Sequence, residues 1–234
     1  MEKPNKFSTT EELAEWNDEM VKRYHQEETP FKSKNPILRI LEKMRLKKII
    51  KLARINKNDK ILDMGCGEGH LISLLPDKVF SIAGIDISQT ALGQAEKLLK
   101  NRKNVSLGFG NAYKTNYAEK SFDKIICSEV LEHVPEPRRV MVEIHRLLKD
   151  GGLTIISIPD EKRIQKIMAV VQFFGLEKLL HAARKQKEYE WHLYSANENF
   201  LRGISNDLFK IDKIIRTPPF IGYHFIARLQ KSVN

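Results

Sequence analysis

The sequence predicts an α/β domain built around a parallel sheet, and three observations carry that expectation. From residue 60 onward, short apolar strands alternate with amphipathic helices, the pattern of successive βαβ units. The first of these strands runs into a glycine-rich turn, Gly65-Cys66-Gly67-Glu68-Gly69, at a strand-to-helix junction. A later strand, Leu153 to Ile158, is almost wholly apolar, as expected of a strand covered on both faces.

The elements follow in order. Glu11 to Tyr24 reads as a short helix. Pro36 opens a stronger one, with Ile37, Leu38, Ile40, Leu41, Met44, Ile49, Ile50 and Leu52 near helical spacing. Lys60 to Asp63 is the first strand and Val79 to Asp86 the second. A helix follows with Ser88 as N-cap and Ala91, Leu92, Ala95, Leu98 and Leu99 facing inward. Val105 to Phe109 and Phe122 to Cys127 are the third and fourth strands. Arg138 to Lys149 is a helix stopped by Asp150-Gly151-Gly152, and Leu153 to Ile158 is the fifth strand. After Pro159 the rhythm breaks. Glu161 to Glu190 is helical in pattern and reads as an insertion before a last helix around Ser195 to Ile204. Leu208 to Ile215 and Tyr223 to Leu229 are expected to form a hairpin-like pair at one sheet edge.

A chain of 234 residues suits one such domain. No stretch approaches the roughly 18 uninterrupted apolar residues of a membrane span, and the charged Met1-Glu2-Lys3-Pro4 start lacks a secretory apolar run. Cys66 and Cys127 have no metal-ligand company at CxxC spacing, so a reducing cytoplasm is the expected compartment. The net charge of +10 is uneven: Lys32 to Lys60 holds eleven Lys/Arg against Glu42 and Asp59. Such a block can attract phosphate backbones or anionic lipid. The simpler reading is a solvated helix face, with Lys43, Lys47 and Lys51 pointing outward. That reading disfavours nucleic acid as a partner and leaves peripheral membrane contact and oligomeric state open.

The chemistry gathers where strands end. The turn has G-x-G-x-G spacing rather than the dinucleotide G-x-G-x-x-G, and Asp63 stands two residues ahead of Gly65. A carboxylate there suits a ligand that brings an ammonium or sulfonium cation. Asp86, followed by Ile87, ends the second strand, where an acid can accept two hydrogen bonds from a ribose diol. Gly110-Asn111-Ala112 ends the third strand, with an amide placed to read an adenine amino group. Ser128-Glu129 follows the fourth. Open α/β sheets bind ligands at strand carboxyl ends, and the coincidence of four such features is more specific than any one.

Asp63-Met64-Gly65-Cys66-Gly67-Glu68-Gly69, Gly84-Ile85-Asp86, Gly110-Asn111-Ala112, Ser128-Glu129-Val130-Leu131-Glu132-His133-Val134 and Leu147-Leu148-Lys149-Asp150-Gly151-Gly152 together resemble successive motifs of class I S-adenosylmethionine-dependent methyltransferases. The likeness is greatest to the small-molecule branch that includes quinone-biosynthesis methyltransferases. It covers residues 36 to 160 strongly and the last two strands weakly. It implies a Rossmann-like, doubly wound seven-stranded sheet, mostly parallel, with an antiparallel last strand. It also implies S-adenosylmethionine as methyl donor, bound by Asp63, Gly65, Cys66, Gly67, Gly69, Asp86, Ile87, Asn111, Ala112 and Ser128. The family more often carries Asp at the position of Asn111. The chain then divides into an N-terminal lid segment (1–36, with Tyr24 as a donor contact), a donor-binding core (37–160), a helical insertion (161–195) and a last helix with two strands (196–234).

Methyl transfer is an in-line displacement at an activated carbon, so the protein has mainly to align the nucleophile and exclude water. His192 and Glu129 are the catalytic candidates, His192 as a base if the acceptor carries a removable proton. Glu129, Glu132 and His133 would meet on one helical turn, a pattern thought to bind a divalent cation in some quinol methyltransferases, but no metal is assigned on so short a cluster. Cys66 reads as a small packing residue. Thr217-Pro218-Pro219-Phe220 reads as a turn. The expected acceptor is a small or lipid-like molecule in a pocket built by the insertion around Ile164 to Leu180. An RNA substrate on the basic helix and a non-catalytic donor-binding module are the alternatives.

Overall fold

The computed structural model describes residue 7, residues 9–25, residue 31, residues 35–173, residues 192–219 and residues 221–232. Its strands are β1 (Lys60–Met64), β2 (Ser81–Asp86), β3 (Val105–Phe109), β4 (Phe122–Ser128), β5 (Leu148–Pro159), β6 (Phe209–Thr217) and β7 (His224–Lys231). They form one 7-stranded sheet in the order β3-β2-β1-β4-β5-β7-β6. β1 to β5 pair in parallel, whereas β7 runs antiparallel to both β5 and β6. The doubly wound sheet and its antiparallel last strand are as expected. The final pair lies at one sheet edge, with β7 beside β5 and β6 outermost.

The helices are α1 (Thr10–His25), α2 (Pro36–Ala53), α3 (His70–Leu74), α4 (Gln89–Leu99), α5 (Pro137–Leu147), α6 (Glu161–Phe173) and α7 (Glu198–Ser205). Their starts follow from side chains that satisfy the orphan N–H groups of a first turn. Thr9 and Glu12 form a reciprocal capping box before α1. Asn35 accepts from Ile37 N with Pro36 opening α2, Ser88 accepts from Ala91 N, and Asn197 from Phe200 N. One expected stop is shifted. α5 ends at Leu147, ahead of Asp150-Gly151-Gly152, because Leu148 turns extended and pairs with Phe122 of β4. Of the expected helix from Glu161 to Glu190, α6 is described; residues 174–191 lie outside the described residues.

Alternation along the strands sorts the core onto two faces. Ile61, Ile82, Ile126, Ile155 and Ile226 pack with Leu46, Ile49 and Leu52 of α2, Leu71 and Ile72 of α3, and Leu92 and Leu99 of α4. Leu62, Ile85, Ile125, Cys127 and Ile156 face α5 (Val140, Met141, Ile144) and Leu201 of α7. The first half of α2 departs from the periodicity reading. Ile37 and Ile40 are 63% and 57% exposed, since only from Leu46 onward does the helix lie on the sheet. β1 has β2 on one side and β4 on the other, so strand order reverses there and a crevice opens at the carboxyl ends.

Gly84 of β2 marks how tightly α3 and the turn before it pack on β2. A Cβ there would fall 2.8 Å from both Ile72 Cδ1 and Leu107 Cδ2 and 3.0 Å from Cys66 Sγ. Gly84→Ala is therefore expected to destabilise the domain by about 1–3 kcal/mol, the usual cost of overpacking. Urea denaturation should show a lower midpoint with an unchanged slope; an unchanged midpoint would mean that this contact is looser than described.

Candidate functional site

The turn after β1 is fastened to β2. Gly65 N and Cys66 N both donate to Ile85 O, at 2.8 and 2.9 Å, and Gly67 N donates to Asp86 Oδ2 at 2.7 Å. The second Asp86 oxygen accepts from Ser88 N at 2.9 Å. Gly65 and Gly67 have φ of +79° and +51°, a region that side chains resist. The two glycines are needed for different reasons. A Cβ on Gly65 would strike Val130 Cγ2 at 2.3 Å, whereas one on Gly67 would meet nothing within 4 Å and would stand in open space at the edge of a cavity. Gly69 does not line that cavity. It opens α3, and a Cβ on it would lie 2.8 Å from Leu99 Cδ1 of α4, so its role is helix packing rather than the ligand contact expected.

The cavity holds about 1050 Å³ and runs across the carboxyl ends of β1, β2, β3 and β4. Asp63, Gly65, Cys66, Gly67, Asp86, Ile87, Asn111, Ala112, Ser128, Glu129 and His192 all border it, so the structure brings nearly every expected site residue to one space. α1 walls it through Leu13, Asn17 and Val21, one turn apart. The expected contact of Tyr24 falls on a side chain outside the described residues. α1 is held down at two points. Asp18 accepts from Ser88 Oγ, from Thr90 N at 3.2 Å and from Thr90 Oγ1 at 3.1 Å. Thr10 Oγ1 accepts from Asn111 Nδ2 at 3.1 Å. The Asn111 amide also accepts from Tyr113 N at 2.9 Å, so it already braces both its own loop and α1.

Electrostatics divide the cavity's acids into two kinds. Asp63 is buried, with Oδ2 lacking a hydrogen-bond partner, and burial together with Asp86 pushes its pKa up to about 7 against the pull of Arg45. Burial likewise raises Asp86, opposed by the N–H groups of Ser88 and Gly67. Glu129 is the opposite case. Burial works against its charge, yet His224 and Arg45 prevail and hold it well below the usual carboxylate range. Its Oε1 accepts from Ser157 Oγ at 3.0 Å and lies 3.3 Å from Arg45 Nη1; Oε2 lies 3.0 Å from His224 Nε2. Its φ of +58° aims the carboxylate back over β5. Cys66 has its thiol pushed up by burial and by Asp63 and Asp86, which suits packing and not nucleophilic attack.

Arg45 is the residue that sequence reasoning passed over. It was counted within the basic block, yet it is buried, donating from Nη1 to Ser128 Oγ (2.7 Å) and Ser157 Oγ (3.1 Å) while Glu42 holds its other edge. The signal was present in the spacing: Leu38, Leu41, Glu42, Arg45, Leu46 and Ile49 form one helical stripe, so Glu42 and Arg45 had to face inward together.

The segment after β4 is a turn rather than a helix, and Glu129 is not among the ligand atoms that gather around Glu132 and His133. Glu132 and His133 instead meet His192, with one ligand atom from each lying within 4.8 Å of the others, a donor set able to hold a divalent cation. His192 Nδ1 sits 2.6 Å from Glu161 Oε1, and its ring lies edge-on to His133 at 4.8 Å. Glu132 is fully buried, neither carboxylate oxygen has a hydrogen-bond partner, and burial plus Glu129 push its pKa well above the usual 4.5. A carboxyl whose folded pKa is raised loses stability as pH climbs past the unfolded value. Glu132→Gln should therefore match wild type near pH 4 and become increasingly more stable than it from about pH 4.5 upward, read by urea denaturation. A variant less stable at pH 8, in protein whose wild type is stabilised by added Mn²⁺, would instead mean that Glu132 is ionised on a cation.

Comparison with known proteins accords with this geometry. A family model described as a methyltransferase domain matches residues 55–199. A ubiquinone biosynthesis O-methyltransferase of Pseudomonas aeruginosa (strain LESB58) is 33% identical over 124 residues, 52% of this chain and 52% of that protein. An uncharacterised protein of Methanocaldococcus jannaschii is 30% identical over 176 residues, 75% of this chain and 62% of its own length. The chain thus spans about half the length of the ubiquinone-pathway relatives it matches. In structure it is similar to the N-methyltransferase NodS of Bradyrhizobium japonicum WM9, solved with S-adenosyl-L-homocysteine, at a TM-score of 0.67 and 17% identity over 92% of this chain and 98% of that one, a likeness of fold. Since the matched segment takes in β1 to β5, the glycine turn and α6, and is more than half of the 234 residues, the chain belongs to the methyltransferase-domain family.

Proposed function

We propose that the chain transfers a methyl group from S-adenosylmethionine to a small-molecule or lipid-like acceptor. The observation that carries the reading is the cavity itself, whose lining joins the acids beside the glycine turn to apolar Leu38 and Leu41 of α2 and Ile167 and Val170 of α6. An open basic cleft would have suited nucleic acid. Here Lys43, Lys47 and Lys51 are solvated on the far side of α2. The matched relatives named for ubiquinone biosynthesis support an acceptor of this size and polarity.

The residues fit the donor. Its ammonium would sit on the partnerless Asp63 oxygen, its carboxylate toward Arg45, and its methionine chain over Gly65 and Gly67. Each Asp86 oxygen accepts one N–H and retains a lone pair for the ribose diol. Ile87 and Ala112 would flank the adenine, with Asn111 beside it. Bound there, the donor supplies an activated methyl carbon. The chain's own part is alignment and exclusion of water beneath α1. His192 would take a proton from the acceptor, its ring oriented by Glu161 as carboxylates orient catalytic histidines. Glu129, held ionised by His224 and Arg45, is too weak a base for that task and serves to fix Arg45. Cys66 and Cys127 are free buried thiols, in keeping with a cytoplasmic setting. No helix among the described residues is long and apolar enough to cross a membrane.

Two measurements test this. Because Asp63 holds a proton below about pH 7 and must release it to receive an ammonium, affinity for S-adenosylhomocysteine should rise with pH up to about 7, by at most about tenfold per unit, and then level off. Calorimetry should show this slope flattened in Asp63→Asn; a flat wild-type profile would remove the ammonium from Asp63. Second, transfer of labelled methyl from S-adenosylmethionine to hydroxyl-bearing amphiphiles that the wild type methylates should fall about 10²–10⁴-fold in His192→Gln, the range for loss of a general base, while S-adenosylhomocysteine affinity stays unchanged. Equal rates would leave His192 a structural residue.

A further inference from the structure

The mouth of the cavity carries a cationic recess that the donor reading does not use. Lys162, Arg163 and Lys166 of α6, with Asp160 and with Arg216 of β6, enclose a second hollow of about 320 Å³. Arg163 and Lys166 border both this hollow and the main cavity, so they stand where the two join. The acids nearby are already engaged. Asp160 lies 2.9 Å from Arg216 Nη1, Glu198 lies 3.3 Å from Arg216 Nη2, and Glu161 is on His192. Lys162, Arg163 and Lys166 form no ion pair among the described residues. Among the described residues the recess therefore holds an excess of positive charge facing a concave space.

Local structure keeps the space open. Arg163 N donates to Asp160 Oδ1 at 3.2 Å, fixing the first turn of α6. Its guanidinium reaches the β6–β7 loop at Gly222, where a Cβ would lie 3.1 Å from Nη1; the glycine, at φ +58°, makes room for it. Beyond the cations the same helix face becomes apolar. Ile167 and Val170 continue it, and Ile221, 47% exposed, borders the same cavity. Cation and apolar surface are thus adjacent along one wall, the pattern of a site for an amphiphile, and a guanidinium with an ammonium is a donor set for phosphate oxygens.

We propose that the acceptor is an amphiphile bearing a phosphate-like anionic group, held by Arg163 and Lys166, with its apolar portion along Ile167, Val170 and Ile221. The proposal rests on the methyltransferase reading for which end of the cavity meets the donor, but the recess can be tested without it. Decyl phosphate (below its micelle concentration), decanol and inorganic phosphate are titrated calorimetrically into the full chain, with and without S-adenosylhomocysteine. Decyl phosphate is expected to bind about tenfold or more tighter than either of the other two. R163Q/K166Q should erase that preference while leaving S-adenosylhomocysteine affinity unchanged. Equal affinity for decyl phosphate and decanol, a preference that survives the double substitution, or no binding of either would overturn the proposal. So would sedimentation with phosphatidic acid vesicles, lost in the double variant, by a protein that ignores monomeric decyl phosphate, for then the cations meet a bilayer. Failure of S-adenosylhomocysteine to bind would strike the donor reading alone, with the decyl phosphate titration still deciding the recess.

Discussion

Three backbone N–H groups carry the site. Those of Gly65 and Cys66 converge on one carbonyl at the end of β2, and that of Gly67 points to the carboxylate one residue further on. This fastening forces the chain to turn sharply as it leaves β1, which is why two of the three residues have positive φ. It also aligns the two strand ends, leaving Asp63 beneath the turn and Asp86 beside it. Asp86 then serves twice, since its other oxygen tethers the residue that caps α4. That cap in turn is gripped by Asp18 of α1. The sheet, the glycine turn and the wall over the cavity are thus links of one hydrogen-bonded chain.

Charge is arranged across this frame as two neighbouring extremes. Around Arg45, buried charges are compensated, with Glu42 and Glu129 outweighing the cost of burying the guanidinium and His224 completing the set. At Asp63 and Glu132 burial outweighs the pull of Arg45, and both carboxyls are pushed above the usual carboxylate range. Removing one partner from the first group would strand a charge, while the second group is already waiting for one. A ligand that brings positive charge to Asp63 relieves a penalty the fold already carries, which is how a polar site can sit deep in a well-packed core.

The sheet and most of the residues that border the cavity at its strand ends were legible because they are local. Strand periodicity, the G-x-G-x-G turn and the acids at strand ends each lie within a few residues of what they do. What escaped notice depends on distant parts of the chain. Arg45 meets Ser128 and Ser157 from 83 and 112 residues away along the chain, so among eleven cations nothing but its place on the inward stripe distinguished it. The E-x-x-E-H spacing suggested a helical turn, and the positive φ of Glu129 undid it, because pairing with His224 of the last strand outweighed local preference. Gly69 shared the motif's letters but packs on α4, a distinction only the fold could draw.

The placement of β7 bears on how the molecule comes to be. β7 follows the five parallel strands in sequence yet sits inside the sheet, between β5 and β6, and such non-local pairing is slow. Until it forms, Ile155 and Ile156 lack their neighbours and Glu129 lacks His224. During synthesis, with amino-terminal regions emerging first, the glycine turn can thus exist before the carboxylate cluster beside it has closed. The carboxylate cluster beside the cavity is therefore completed by the same strand that completes the sheet.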